Sequence, residues 1–293
     1  MKFFGTATAI VTPFTSNGDI DFDSLGGLID LQVSNGIEGI VPCGSTGEAA
    51  TLTTEEKISV IKFTIERVNR RCKVIAGTGS NDTMASIKLT SHAKEMGADA
   101  VLLVGPYYNK PTQNGHFEHF RAIADAVDIN MIIYNVPGRT GSNMLAETQL
   151  RIADYATNFI ATKEASANLE QMQEIIRNAP EHFSLLSGDD SLALPAISCG
   201  ATGVIAVISN YLPKMFGDCV RAALNNDFAK ARELQYKMLP LMKLNFIESN
   251  PIPVKAILQE MGLINEVYRL PLTRISPTSK QQIVKALQDI GAL

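Results

Sequence analysis

A lysine and a tyrosine that end two apolar segments could form a Schiff-base pair. Lys163 closes the apolar run that begins at Asn158, and upstream Tyr134 closes another run that begins at Met131. A lysine held in a dry pocket can lose its proton and attack a carbonyl as a free amine. If the two runs are neighbouring parallel strands, the amine and the phenol meet at one edge. The residues alone also allow Lys163 to be an exposed lysine paired with Glu164.

A glycine-rich loop offers groups that could bind a small anion. Residues 44–48 have the sequence GSTGE and follow the second apolar run. The glycines allow a sharp turn, and the hydroxyls and backbone N–H groups can converge on a carboxylate. The segment lacks the lysine of a phosphate-binding P-loop. By itself it also fits a tight turn with a Ser/Thr helix cap.

Two further loops carry residues that could complete a site. Arg139 follows Pro137 and Gly138, and its guanidinium could clamp a carboxylate through two hydrogen bonds. A surface arginine paired with a neighbouring acid is the alternative. Tyr107 and Tyr108 lie in a loop flanked by prolines, where surface packing is an equally simple explanation.

The elements that would position these residues alternate along the chain with a short period. Apolar runs lie near residues 6–11, 39–42, 73–77, 100–104, 130–134, 159–163, 184–187 and 203–207. Amphipathic stretches lie between them, for example at 54–68, 83–96, 115–127 and 168–178. Runs that are apolar throughout suit parallel strands buried on both faces. Eight strand–helix units favour an α/β fold, a (β/α)₈ TIM barrel of about 250 residues. No G-x-G-x-x-G follows the first run, which disfavours a dinucleotide-binding sheet.

The alternation ends near residue 225. Beyond it the stretches 227–246, 253–261 and 277–290 all have helical spacing. We therefore predict a catalytic barrel over residues 1–225 and a C-terminal helical extension over 226–293. The extension could be a cap on the barrel or an oligomer contact.

Composition excludes several classes of protein. The chain has 293 residues, is 45% hydrophobic and carries a net charge of -4 without blocks of like charge. It therefore offers no electrostatic footprint for nucleic acid or an anionic membrane. The four cysteines are scattered and show no zinc-ligand spacing, which predicts no metal site and free thiols in a reducing cytoplasm.

Taken together, these motifs resemble the dihydrodipicolinate synthase family. That family belongs to the pyruvate-dependent class I aldolase superfamily, which includes N-acetylneuraminate lyase. The resemblance runs nearly end to end and rests on residues 44–48, 107–111, 134–140, 162–165, 187–190, 203–205 and 249–255. The 44–48, tyrosine and lysine signatures mark the superfamily, whereas residues 139–141 and 250–255 point to the synthase branch.

The resemblance implies a lyase of the diaminopimelate and lysine pathway. Pyruvate would form an imine on Lys163, and the derived enamine would attack L-aspartate 4-semialdehyde to give 4-hydroxy-tetrahydrodipicolinate. No metal or organic cofactor would be needed, because the lysine itself makes the electron sink. The implied catalytic residues are Lys163, Tyr134, Thr46 and Tyr108, the last reaching in from a neighbouring subunit. The implied substrate-binding residues are Ser45, Thr46, Arg139, Gly188 and Ile205.

The resemblance also implies a homo-oligomer, with a dimer as the minimum active unit and a tetramer expected. Some members are inhibited by lysine bound at the dimer interface. Asn81 and Tyr107 match that allosteric site, but Thr54, Lys57 and Ala85 stand where sensitive members carry histidines and a glutamate. We therefore predict weak or absent lysine feedback. Ser45 replaces a threonine of many relatives but keeps the hydroxyl.

Two other functions remain open. A sister aldolase would cleave a sugar acid such as N-acetylneuraminate or a 2-keto-3-deoxy acid. Arg139 argues against it, since a polyhydroxylated substrate needs neutral hydrogen-bonding groups there. A keto-acid sensor without turnover could lose Lys163 or Tyr134 without penalty, yet both are present.

Overall fold

Eight parallel strands close into one barrel in chain order, as the alternation predicts. The computed structural model describes residues 2–293, so Met1, the first residue of the predicted barrel range, lies outside the described residues. The strands are β1 Gly5–Ala9, β2 Gly39–Val41, β3 Lys73–Gly77, β4 Ala100–Val104, β5 Met131–Asn135, β6 Phe159–Glu164, β7 Ser184–Ser187 and β8 Gly203–Ala206. Strand β1 pairs with both β2 and β8, which closes the ring.

Helices follow the strands and cover the outside of the barrel. They are α1 Phe22–Ser34, α2 Thr54–Val68, α3 Thr83–Met96, α4 Gln113–Ala126, α5 Pro137–Thr140, α6 Ala146–Tyr155, α7 Leu169–Asn178, α8 Ala193–Ser198, α9 Pro213–Leu224, α10 Phe228–Leu244, α11 Ile252–Glu260 and α12 Pro277–Asp289. Local signals account for several ends. Thr53 and Glu56 form a capping box that starts α2, and Gly97, with a φ of +90°, ends α3.

Strand residues alternate between two apolar cores. In β5, Ile133 faces the outer core between the strands and the helices, whereas Ile132 and Tyr134 face the core inside the barrel. Both faces are therefore dry, which is why the strands are apolar throughout. The alternation also directs Tyr134 into the barrel near the carboxyl end of its strand.

The C-terminal helices form a layer on the barrel. Helix α10 packs against α9, and α12 packs against α10 and α11. The turn before α11 brings Asn250 to the carboxyl ends of the strands, where it contacts Thr46. A domain division at residue 225 stays a prediction. In the part of the chain that the structure describes, no helix is long and apolar enough to cross a membrane.

Candidate active site

Lys163 and Tyr134 meet inside the carboxyl end of the barrel. They are register partners on β6 and β5, so their side chains point the same way. Each is only 6% exposed, and the Lys163 Nζ lies 4.2 Å from the centroid of the Tyr134 ring. Within residues 2–293, the Lys163 amine forms no ion pair. The amine therefore lies beside the phenol inside the barrel without a direct salt bridge, which is a suitable position for a nucleophile.

Glu164 is not the partner of Lys163. Its carboxylate is fully buried on the other side of β6 and accepts hydrogen bonds from Asn135, Gln149 and Gln171 at 2.8–3.0 Å. These neutral donors satisfy the carboxylate without a cation. The alternative of an exposed Lys163–Glu164 pair is therefore wrong.

Two neighbouring cavities share part of their lining, and Lys163 lines the smaller one. The inner cavity has a volume of about 70 Å³, and its lining includes Lys163, Tyr134, Ser45, Thr46, Arg139 and Gly188. The outer cavity has a volume of about 320 Å³, and Ser45, Tyr134 and Arg139 line it as well. A Cβ on Gly188 would lie 2.4 Å from the Ala165 Cβ, so only glycine lets the end of β7 approach β6 this closely. The inner cavity has room for a small keto acid.

The 44–48 loop is held by the C-terminal layer. Asn250 Nδ2 donates to Thr46 Oγ1 at 2.9 Å, and Lys255 Nζ donates to Glu48 Oε1 at 2.6 Å. Neither the Lys255 nor the Glu48 side chain is more than 1% exposed. The loop is therefore more than a turn with a helix cap, because α2 is capped by Thr53 instead. The roles of Asn250 and Lys255 were not predicted from the sequence, although both lie in the 249–255 motif.

Arg139 lies on the short helix α5 at the mouth of the inner cavity. Its Nη2 donates to the backbone oxygen of Asn250 at 3.1 Å. Among the described residues it makes no salt bridge, so the surface-pair alternative fails and the guanidinium keeps donors for a ligand. A carboxylate that enters the outer cavity meets this cation.

Four predicted residues do not line the inner cavity. Ile205 is fully buried in the core inside the barrel, and its side chain does not line either cavity. Tyr108 is 89% exposed with a φ of +69° and lines neither cavity of its own chain. Tyr107 lines the outer cavity, together with Lys57. Asn81 accepts a hydrogen bond from Asn109 Nδ2 at 2.9 Å, which ties its loop to that of Tyr107.

Burial shifts several ionisable groups around the site. Desolvation raises the pKa of Asp190 to about 6, although the backbone N–H groups of Val207 and Ile208 donate to its carboxylate at 2.9 and 2.7 Å. Desolvation also raises the pKa of Asp189, and Lys163 opposes that rise. Desolvation lowers the pKa of Lys255 despite the nearby Glu48 carboxylate. Asp190 thus braces the end of β8, whereas Asp189 faces the inner cavity.

Comparison with known proteins gives one consistent result. The sequence model of the Dihydrodipicolinate synthetase family matches residues 2–290. The 4-hydroxy-tetrahydrodipicolinate synthase of Syntrophus aciditrophicus (strain SB) is 50% identical over 291 residues, which cover 99% of each chain. The crystal structure of dihydrodipicolinate synthase from Aquifex aeolicus superposes with a TM-score of 0.97 at 46% identity and covers 99% of each chain. The chloride-inhibited enzyme from Acinetobacter baumannii, complexed with pyruvate, gives a TM-score of 0.97 at 42% identity, again over 99% of each chain.

Proposed function

The chain belongs to the dihydrodipicolinate synthetase family, and we propose that Lys163 carries the family's chemistry in it. The enzyme is a 4-hydroxy-tetrahydrodipicolinate synthase by function, which condenses pyruvate with L-aspartate 4-semialdehyde in lysine biosynthesis. One observation carries the assignment of residues. The Lys163 amine is buried beside the Tyr134 ring in a cavity that also presents Arg139.

The first half of the reaction takes place in the inner cavity. Lys163 Nζ attacks the keto carbon of pyruvate, water leaves, and an imine forms. Ser45 and Thr46 hold the pyruvate carboxylate, with backbone groups of Gly188 and Ile205 closing the pocket. The protonated imine then draws electrons from the methyl group, which loses a proton and becomes the enamine carbon.

Tyr134 moves protons to and from this centre, assisted by Thr46. The Thr46 hydroxyl accepts a hydrogen bond from Asn250 Nδ2, so its own proton stays free for donation. Tyr108 of a partner subunit completes the relay to solvent. The exposure of Tyr108 in its own chain supports this role, because a side chain that serves a neighbour must project outward. A homodimer is then the minimum active unit, and we propose a tetramer in the cytoplasm.

The second substrate binds in the outer cavity. Arg139 receives the carboxylate of L-aspartate 4-semialdehyde, because it is a cation free of any acidic partner among the described residues. Held there, the aldehyde carbon faces the enamine, and the new carbon–carbon bond forms between them. The aldehyde oxygen takes up a proton and becomes the 4-hydroxyl of the product.

Turnover coupled to dihydrodipicolinate reductase tests the assignment. We expect NADPH consumption with pyruvate and L-aspartate 4-semialdehyde, and we expect Lys163→Ala to abolish it. Lys62→Ala is the matched control, since Lys62 is 63% exposed on the barrel surface. Borohydride reduction with pyruvate should attach the three-carbon unit to Lys163.

Two results would contradict the assignment in different ways. If Lys163 stays unmodified after borohydride treatment with pyruvate, the proposed imine on Lys163 is refuted. If pyruvate is trapped on Lys163 but the semialdehyde is not turned over, the imine chemistry stands. The second substrate would then be sought among those of the sister aldolases.

A further inference from the structure

The Glu164 carboxylate is an anion inside the fold. It is 0% exposed, and it accepts hydrogen bonds at 2.8–3.0 Å from the backbone N–H of Ser166 and from the side-chain amides of Asn135, Gln149 and Gln171. Within residues 2–293 it donates no hydrogen bond and forms no salt bridge. A protonated carboxyl would need an acceptor for its O–H, but the surroundings present only donors.

The backbone of Met144 fixes which end of each amide faces the carboxylate. Met144 N donates to Asn135 Oδ1 at 3.0 Å, so the Nδ2 of that amide turns towards Glu164. Met144 O accepts hydrogen bonds from the Nε2 atoms of Gln149 at 2.8 Å and of Gln171 at 3.3 Å. A backbone N–H can only donate and a carbonyl can only accept, so all three amides must direct N–H groups at the carboxylate. Its negative charge is therefore built into the packing.

This charge reaches the inner cavity through β6. Successive side chains of a strand point to opposite faces, so one strand separates Lys163 from Glu164. Asp189, which lines the inner cavity, senses the field: desolvation raises its pKa, and the Glu164 carboxylate adds to that rise. A carboxylate taken out of water is stabilised by a nearby positive charge. The Lys163 nitrogen becomes such a charge when it is an ammonium or a protonated imine.

The other titratable groups around Lys163 are less suited to stabilise its charge. Arg139, from α5, carries the same sign, and Tyr134, from β5, is a phenol. Asp189, after β7, has a buried oxygen without a hydrogen-bond partner among the described residues, and desolvation raises its pKa. Burial raises the pKa of Asp190 to about 6, and its two oxygens are engaged by backbone N–H groups just after β8. The fully hydrogen-bonded carboxylate behind β6 is therefore the more permanent anion.

We propose that Glu164 is a positioning residue whose ionised carboxylate, acting through β6, stabilises the positive charge of the Lys163 nitrogen in the ammonium and in the protonated imine. The inference rests on the proposed imine at Lys163. In the step from imine to enamine, a methyl C–H bond of the bound pyruvate breaks and its electron pair forms the carbon–carbon double bond. The π pair of the carbon–nitrogen bond moves onto nitrogen, and the released proton leaves through Tyr134. Only the protonated imine accepts this pair readily, so a permanent anion behind the strand keeps the step open at higher pH.

Exchange of the pyruvate methyl hydrogens for deuterium tests this step without a second substrate. NMR in D₂O follows the exchange, which needs only the imine and the enamine. The acid limb of kcat/KM reports the loss of a proton from free Lys163, and the alkaline limb of kcat reports the loss of a proton from the imine. In Glu164→Gln we expect both limbs to move to lower pH by about one unit, because one charge is lost in a medium with an effective dielectric constant of about 20.

A second variant removes the same charge by a different route, and a third leaves the charge in place. Gln171→Lys brings an ammonium to the position from which Gln171 Nε2 donates to Glu164 at 3.0 Å, so the carboxylate is neutralised without being removed. Both limbs should again move to lower pH. Gln149→Leu is the matched control, because it deletes the donor at 2.8 Å but no charge. It should lower the midpoint of thermal unfolding and leave both limbs within about 0.3 unit of those of the wild-type protein.

The position of the limbs separates an electrostatic role from a structural one. Limbs that stay in place in Glu164→Gln, with or without a uniform loss of rate, would overturn the proposal, and so would an equal shift in Gln149→Leu. Glu164→Gln directs an N–H group at other donors and should be less stable than the wild-type protein. If it does not fold, Gln171→Lys decides by the same criterion.

Borohydride trapping of pyruvate on Lys163 is measured on the same samples. Its absence in the wild-type protein would refute the imine itself. Trapping with unshifted limbs would refute only the role of Glu164, which keeps the two failures distinct.

Discussion

Lys255→Met removes the cation that neutralises the Glu48 carboxylate of the 44–48 loop. Lys255 Nζ donates to Glu48 Oε1 at 2.6 Å and to the Val267 oxygen at 2.7 Å. It also lies 4.3 Å from the centroid of the Phe14 ring. Methionine fills similar volume without charge. The substitution therefore leaves the buried Glu48 without its ionic partner.

The expected loss of stability follows from this burial. The two side chains are 0% and 1% exposed, so water cannot take the place of the missing ammonium. Removing one partner of a buried pair costs about 3–5 kcal/mol in free energy of unfolding. For a chain of this size we expect the midpoint of thermal unfolding to fall by roughly 10 °C. Thr46 and Ser45 precede Glu48, so we also expect KM for pyruvate to rise roughly 10- to 100-fold.

Thermal and urea unfolding, with steady-state kinetics on the same samples, measure both effects. Lys214→Met is the matched control, because that lysine pairs with Asp218 at 2.7 Å but the two side chains are 73% and 42% exposed. The control should lose less than about 1 kcal/mol. Adding Glu48→Gln to Lys255→Met should restore part of the stability, since the unpaired charge is gone. If Lys255→Met unfolds within about 1 kcal/mol of the control, the argument from an uncompensated buried charge is refuted.

Three further predictions concern pH, assembly and regulation. Burial lowers the pKa of His119 to about 4, so the unfolded chain takes up a proton first as pH falls below 6.5. The free energy of unfolding should be highest above pH 6.5 and fall by roughly 3 kcal/mol towards pH 4. In urea titrations of His119→Phe, the free energy of unfolding should fall less over the same pH range. Co-expressed Tyr108→Ala and Lys163→Ala should recover about a quarter of wild-type activity, because half of the dimers are mixed and each has one intact site. No recovery would show that Tyr108 acts within its own chain. Free lysine should inhibit weakly or not at all, because Lys57 adds a like charge to the wall of the outer cavity. Half-maximal inhibition by micromolar lysine would contradict this.

Much of the fold could be predicted because its signals are local. Each apolar run became a strand within one or two residues of the predicted bounds, for example Met131–Asn135 against 130–134. Helix starts depend on equally local signals, since Thr53 and Asp82 cap their helices through residues two or three positions away. The tail helices also appeared as predicted, with α12 at Pro277–Asp289 against 277–290.

The candidate site could be predicted only in part. The meeting of Lys163, Tyr134 and Arg139 at one cavity could be predicted, because parallel strands bring their carboxyl ends together and the resemblance covers the loops that follow. The hydrogen-bond donors of Glu164 could not be predicted, since three separate segments of the chain supply them. The buried Asp189 Oδ2, which has no hydrogen-bond partner within residues 2–293, could not be foreseen either, because such an atom is recognisable only once its neighbours are in place.

The sequence by itself therefore determined the barrel, its order of elements and the place of Lys163 near a strand end, since hydrophobic period and strand ends act over short stretches of chain. Only the tertiary structure decided how the site is braced. The Thr46–Asn250 hydrogen bond spans 204 positions, and the Glu48–Lys255 pair spans 207. Such contacts depend on where the C-terminal layer docks on the barrel, and no local pattern encodes that position. The 44–48 loop is held by a segment that meets it only in the folded chain.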